Sequence, residues 1–124
     1  MNTISSSYNR NQSFGMAFEK PSANIMKYYR AAVSELPINE RANFVEEVGK
    51  IVKKNAEVPV PVRQEIDGAL FTASAGNRCY YSKNPKSKAD AILTAIRGAS
   101  QESENIANVN TNMEKINQIF DIKA

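Results

Sequence analysis

The sequence predicts an all-α protein, a small bundle of four to five helices behind a flexible N-terminal tail. Apolar residues recur at the three- and four-residue spacing of a helical face over most of residues 21–124. Ser, Asn or Pro precedes several of these runs, as at the starts of helices. The 124 residues, 42% hydrophobic and 23% charged, suit one globular domain. We therefore expect a tail over residues 1–20 and a single helical domain over residues 21–124.

The first twenty residues are rich in Asn and Ser and contain no apolar stretch of the kind found in secretory signals. This composition predicts a flexible tail. The exception is a short cluster with two phenylalanines and one methionine, Phe14, Met16 and Phe18. Because large apolar side chains are costly to leave in water, docking of this cluster on the domain is favoured over a linear motif for another protein.

Two amphipathic helices are predicted next. Ser22 is a suitable cap for the first, which ends before Pro37 because a residue that precedes proline is disfavoured in the α region. Its apolar face consists of Ile25, Tyr29, Ala32, Val33 and Leu36. Asn39 is the expected cap of the second helix. Its predicted buried face consists of Phe44, Val45, Val48, Ile51 and Val52.

Residues 55–61 form a linker with two prolines, and two interpretations exist for the stretch that follows. One is a third helix over residues 62–73 that stops at Gly76. The other is a β-hairpin near residues 69–81, which would make the protein α+β. The helix is favoured because an isolated hairpin is marginally stable in water and no third strand is evident.

The last third of the chain has the clearest helical pattern. The helix is expected to start at Asn84 or at Ser87, and Ser87 would form a capping box with Asp90. Residues 98–103 lack large apolar side chains, so the pattern is compatible with one continuous helix or with two helices that break there. Heptad spacing follows at Ile106, Val109, Met113, Ile116 and Phe120. The pattern covers two heptads and is flanked by asparagines, which favours packing against the chain's own helices over a dimeric zipper.

The sequence offers little for catalysis. It contains no histidine and one cysteine, Cys79, so the usual base that activates a thiol or a serine is missing. No phosphate-binding glycine motif is present. We expect no enzymatic activity, no cofactor and no metal. A single cysteine favours a reducing compartment, which we take to be the cytoplasm.

The candidate contact is a basic segment, residues 77–88, with four cations and no acid. Its candidate partner-binding residues are Arg78, Tyr80, Tyr81, Lys83, Lys86 and Lys88. A solvated loop without a partner is the simplest explanation of such a run.

The functional expectation is a non-enzymatic interaction protein that binds and modulates another protein through a helical surface and the basic segment. The alternative is a small basic nucleic-acid-binding protein that contacts phosphates through the same segment and through Lys50, Lys53 and Lys54. The net charge of +3 permits either partner. Self-association through the C-terminal helix stays open. No membrane contact is expected, because no apolar run approaches the length of a membrane span.

Overall fold

The computed structural model describes the backbone of residues 17–123 and the side chains of residues 17–113, and the fold is α+β. In this part of the chain three helices pack around a three-stranded antiparallel sheet of strand order β1-β2-β3. The all-α bundle of four to five helices was therefore wrong, and the α+β alternative is correct. The elements are α1 (Ala23–Glu35), α2 (Ile38–Lys54), β1 (Arg63–Asp67), β2 (Leu70–Ala75), β3 (Arg78–Tyr80) and α3 (Lys88–Lys123).

Two glycines at hairpin turns explain why the structure has a sheet where a third helix was predicted. Gly68 and Gly76 have φ angles of 64° and 60°, and each is the first residue of a two-residue connection between paired strands. Such short hairpin connections need a positive φ at this position, which glycine adopts without steric cost. The helix expected over residues 62–73 was wrong because Gly68 is the first residue of a hairpin turn and does not lie inside a helix.

The first strand was missed because its outward residues are charged. Arg63, Glu65 and Asp67 are exposed, whereas Gln64 and Ile66 are partly buried, so the strand alternates with a period of two residues. Charged residues are uncommon in strands and hide that alternation. This strand supplies the third member of the sheet, whose absence had counted against the hairpin.

The core lies between the sheet and the helices. β2 is the central strand, and it packs against α3 along one face. Its Phe71 is fully buried and meets the rings of Tyr28 and Tyr29 of α1 at centroid distances of 5.2 and 6.0 Å. The Tyr29 hydroxyl donates a hydrogen bond of 2.8 Å to Oε1 of Gln64 in β1, which ties α1 to the sheet.

The first two helices largely follow the sequence pattern. The Ser22 cap is confirmed, since its Oγ accepts a hydrogen bond from the amide of Ile25 at 3.2 Å. The Asn39 cap is wrong, because α2 begins at Ile38 without a side-chain cap. In α2, Phe44, Val48 and Val52 are buried as predicted, but Val45 is 56% exposed and belongs to the outer face.

The end of the N-terminal tail is attached to the domain. Ala17 and Phe18 are buried, and Phe18 forms a parallel bridge with Val62 just before β1. The amide of Val62 donates to the carbonyl of Ala17, and the amide of Glu19 donates to the carbonyl of Val62 at 3.0 Å. Docking of the aromatic cluster is thus confirmed at Phe18. Phe14, Met16 and the rest of residues 1–16 lie outside the described residues.

The C-terminal pattern forms one helix. Ser87 Oγ accepts from the amide of Asp90 at 3.1 Å, and the carboxylate of Asp90 accepts from the amide of Lys86 at 3.0 Å, so the predicted capping arrangement is present. The helix continues through residues 98–103, and Gly98 at the start of this stretch admits the ring of Tyr80 at close range. Asn55 and Ser100 are buried there and hydrogen-bond each other.

Candidate functional site

The basic segment runs alongside α3 in the opposite direction. At one end Gly76 lies against the side chain of Ile106, further along Tyr80 lies against Gly98, and at the other end Lys88 starts the helix. Residues 88 and 106 of one helix are about 27 Å apart at 1.5 Å per residue. The six candidate residues are therefore spread along the helix and do not converge on one ligand.

The end of the basic segment that is next to Ile106 is partly neutralised by an acid of α3. Arg78 Nε lies 4.0 Å from a carboxylate oxygen of Glu102, and the Tyr80 hydroxyl donates to the same carboxylate at 3.2 Å. Arg78 remains well exposed, so this pair adds little stability. These contacts hold β3 on α3 and give Tyr80 a role in packing.

Lys88 is held by α1. Its ammonium donates to the carboxylate of Glu35 at 2.8 Å and lies 5.9 Å from the ring centroid of Tyr28. The hydrogen bond to Glu35 raises the pKa of Lys88, so the lysine stays charged. Burial raises the pKa of Tyr28, and the nearby Lys88 charge opposes that rise. Lys88 therefore has a structural partner within its own chain.

Three of the candidate side chains are left without such partners among the described residues: Tyr81 directly follows β3, Lys83 and Lys86 lie between it and α3, and all three are exposed. The three lysines of α2 that belonged to the nucleic-acid alternative are also exposed. Lys50 lies 3.8 Å from Glu47, and Lys54 lies 3.8 Å from Glu104. These acidic neighbours reduce the positive potential around Lys50 and Lys54.

The most exposed apolar surface of α3 lies beyond the sheet. Every side chain of residues 108–113 is exposed, and Val109 and Met113 are 57% and 56% exposed. The helical backbone continues from there to Lys123. We call residues 108–123 the distal segment. The expected packing of Val109 and Met113 against the chain's own helices was wrong, while the side chains of Ile116 and Phe120 lie outside the described residues.

The distal segment leaves the domain beside the turn between β2 and β3. Ile106 is half-buried against Gly76, so closely that a Cβ at position 76 would lie 2.7 Å from its Cδ1. The guanidinium of Arg63 donates to the carbonyl of Gly76 at 3.4 Å, and Arg78 follows in β3. The start of the distal segment therefore lies next to the apolar contact between Ile106 and Gly76 and next to two exposed arginines.

Sequence reasoning allowed a helical contact surface but assigned Val109 and Met113 to internal packing, although a signal of their exposure was present. A helix that packs on a globular core usually carries an apolar face wider than one seam. From residue 108 to residue 113, Val109 and Met113 are surrounded by Asn108, Asn110, Thr111 and Asn112. Such a narrow seam is typical of a helix that pairs with another helix.

The comparisons add no family. No protein-family model, no curated protein and no solved structure matches this chain. Among the described residues, no group of three acidic, cysteine or histidine side chains is placed to hold a metal ion. No helix in that same part of the chain is both long and apolar enough to cross a membrane.

Proposed function

We propose that this is a non-enzymatic interaction protein that binds another protein chain through the distal segment of α3. The observation that carries the proposal is the exposure of Val109 and Met113 on one face of a helix that extends beyond the sheet. The two residues are four positions apart, so they lie one above the other on that face.

The chemistry of this face suits a protein partner with an apolar surface. Covering two half-exposed apolar side chains contributes roughly 1 kcal/mol each, from about 25 cal/mol for each Å² of apolar area removed from water. Apolar side chains spaced along one face of a helix bind in the groove of a partner protein or pack against a facing helix. Arg78, which lies beside Glu102 near the start of the segment, adds a polar contact at the edge of the apolar face.

The basic segment contributes to this function only at its Arg78 end. Lys86 lies two residues before α3, whose first residue is about 30 Å from residue 108 at 1.5 Å per residue. A single small interface on the distal segment does not reach this end of the basic segment. We also place the protein in the cytoplasm, a proposal supported by the exposed free thiol of Cys79, which suits a reducing compartment.

The nucleic-acid alternative has weaker support. Of the four cations of the basic segment, Arg78 and Lys88 each have a carboxylate neighbour, whereas Lys83 and Lys86 have none among the side chains that the structure describes. Phosphate binding depends on the number of uncompensated cations, because each phosphate that is neutralised releases a counterion.

The test is a pull-down with the full chain as bait, comparing the unaltered protein with a V109E/M113E variant. We expect the variant to lose the bound proteins, because two carboxylates would have to be buried unpaired in the interface. The matched control is N108E/T111E, which adds the same charge at exposed positions on other faces of the helix. It should retain the bound proteins.

Salt separates the protein partner from a nucleic acid. A complex made through Val109 and Met113 should survive moderate salt, whereas a phosphate-dominated complex weakens steeply as salt rises. Material that is retained by V109E/M113E, is released by salt and is lost in a K83E/K86E variant would contradict the proposal and favour the nucleic-acid alternative.

A further inference from the structure

We infer that the outer edge of β1 is a second protein-binding site, which takes up an extended segment with basic side chains as an additional strand of the sheet. This edge is separate from the distal segment, so the inference goes beyond the proposed function.

The sheet has an open edge along β1. In a hairpin with a two-residue turn, the two residues that flank the turn form a hydrogen-bonded pair, so Asp67 and every second residue before it bond to β2. The backbone groups of Gln64 and Ile66 therefore point away from β2. The chain's own residues 17–19 pair with this edge at Val62 and then lead into α1. Within the described part of the chain, the outward backbone groups of Gln64 and Ile66 have no hydrogen-bond partner, which makes them a template for another strand.

A cleft lies between this edge and the start of α1. Its volume is about 510 Å³, within the range of roughly 300–1,000 Å³ that is usual for ligand-binding clefts. Residues 64–67 of β1 form one wall, and Ser22, Asn24 and Ile25 form the other. The cleft is thus the space that a strand added beside β1 enters.

Both walls of the cleft hold unused hydrogen-bond donors. The backbone amide of Asn24 lies in the first turn of α1, where amides have no partner within the helix, and no other described residue accepts from it. Across the cleft, Nε2 of Gln64 is buried without an acceptor in the same part of the chain, although Oε1 of that side chain accepts from the hydroxyl of Tyr29. Buried polar groups are nearly always hydrogen-bonded in folded proteins. The carbonyl oxygens of an extended segment are acceptors of the kind that these walls lack.

Charge selects a basic segment. The charged residues that line the cleft are Glu65 and Asp67, which are exposed on the same face of β1 and form no ion pair with any described residue. Arg63 shares that face, but its guanidinium donates to the carbonyl at the start of the turn after β2, on the opposite side of the strand from the cleft. The exposed Glu19 and Lys20 cancel each other in charge. The positive end of α1 contributes only about half an elementary charge, less than the two carboxylates.

These features define the segment that the edge accepts. Successive side chains of a strand point to opposite faces, so lysine or arginine at alternate positions meets Glu65 and Asp67, while apolar residues between them face Ile66. Main-chain hydrogen bonds hold such an added strand, and the alternate side chains give its specificity.

The probe is a blocked six-residue peptide of alternating lysine and valine. Titrated into the isotope-labelled full chain, it should shift the amide resonances of Gln64 and Ile66 to saturation and slow their hydrogen exchange. A peptide with glutamate in place of lysine should not bind. The lysine peptide methylated on its amide nitrogens keeps every charge and side chain and should also fail to bind. Equal binding of the methylated peptide would show attraction by charge alone and overturn the inference.

Charge reversal tests the specificity. The E65K/D67K variant should lose the lysine peptide and gain the glutamate peptide. The matched control is E46K/E57K, which makes the same change of charge at exposed positions outside the cleft and should bind like the unaltered chain. Unchanged binding of the lysine peptide by E65K/D67K would contradict the inferred site.

Other occupants of the edge give a different result. If the amides of Gln64 and Ile66 are already protected from exchange in the free chain, by residues 1–16 or by a second copy, the inference is wrong. The V109E/M113E variant should bind the lysine peptide like the unaltered chain. The peptide titration and the pull-down can therefore fail independently, which separates this inference from the proposed function.

Discussion

The ring of Tyr80 in β3 lies directly over the Cα of Gly98 in α3. A Cβ at position 98 would lie 2.5 Å from Cδ1, 2.7 Å from Cγ and 3.0 Å from Cβ of Tyr80. The hydroxyl of the same ring donates to Glu102, one turn further along α3. The glycine therefore sets how closely the edge strand approaches the helix, and the position of that strand places Arg78 beside the start of the distal segment.

Gly98→Ala is expected to destabilise the protein by up to about 2 kcal/mol. Alanine is favoured over glycine by about 1 kcal/mol in a helix interior, but overpacking costs typically 1–3 kcal/mol. The clash involves Cβ and Cγ of Tyr80, so rotation of the ring alone does not relieve it, and β3 must shift. Urea unfolding followed by circular dichroism measures the change.

The matched control is Gly49→Ala in α2, where a Cβ would meet nothing within 4 Å. This substitution should stabilise the protein by about 1 kcal/mol through helix propensity alone. In a Tyr80→Ala background, which removes Cδ1 and Cγ and leaves the Cβ at 3.0 Å, the cost of Gly98→Ala should fall. A Gly98→Ala variant as stable as Gly49→Ala would show that the Tyr80 contact does not constrain the helix.

Gly76→Ala should cost more than Gly68→Ala. Both glycines have a positive φ, so alanine at either position costs about 1–2 kcal/mol. A Cβ at position 68 meets nothing within 4 Å, whereas one at position 76 would displace the end of Ile106. Forcing that side chain off its rotamer adds about 0.5–1.5 kcal/mol. Comparing the two unfolding free energies isolates this contact.

Ile106→Val supplies the check, because it removes the methyl group that the new Cβ would meet. In that background the cost of Gly76→Ala should fall to the cost of Gly68→Ala. An excess cost at position 76 that persists without the Ile106 methyl would mean that backbone strain at the turn causes it.

How far the sequence predicts this fold depends on whether each signal is local. Ser22 and the capping arrangement of Ser87 with Asp90 were recognised because a cap involves residues three positions apart. The sheet was misjudged because Gly68 has two local meanings, a poor helix residue or a hairpin turn. The pairing of Ile66 with Phe71, which decides between them, depends on burial against α1 and α3.

The candidate site was predicted less well, for a related reason. The cations of residues 77–88 were identified, but their partners Glu35 and Glu102 lie far away in sequence, so neutralisation of the segment was not visible. Val109 and Met113 have a heptad spacing that is the same whether the facing helix belongs to the same chain or to another. The structure distinguishes the two cases because the sheet ends before residue 108, which leaves both side chains exposed.

Ser100→Ala should destabilise the protein by roughly 1–3 kcal/mol, the usual cost of leaving a buried polar atom unsatisfied. The Ser100 hydroxyl donates to Oδ1 of the fully buried Asn55, whose Nδ2 donates to the carbonyl of Ser100 at 3.4 Å. This pair fixes the end of α2 against α3. The measurement is the free energy of unfolding in urea.

Two further variants distinguish the pair from an ordinary loss of a hydroxyl. Asn55→Ala combined with Ser100→Ala should cost less than the sum of the single changes, because the second change removes an atom that has already lost its partner. Thr111→Ala removes an exposed hydroxyl that donates to the carbonyl of Ala107 and should be nearly neutral. Strict additivity would show that Asn55 and Ser100 are not coupled.

Alkaline pH should destabilise the protein partly through Tyr29. Burial raises the pKa of its phenol well above the ordinary value of 10.0, so above about pH 10 the unfolded chain releases this proton while the folded chain keeps it. The free energy of unfolding then falls as pH rises, by up to about 1.4 kcal/mol per pH unit for this group, and the contribution is fully present below pH 10.

Tyr29→Phe removes the titration, although it also loses the hydrogen bond to Gln64. Between pH 9 and pH 11 the stability advantage of the unaltered protein over Tyr29→Phe should therefore shrink by about 1.4 kcal/mol, as measured by urea unfolding at each pH. All other groups are the same in both proteins and cancel in the difference. A constant advantage across this range would show that the Tyr29 phenol ionises equally in the folded and unfolded chains.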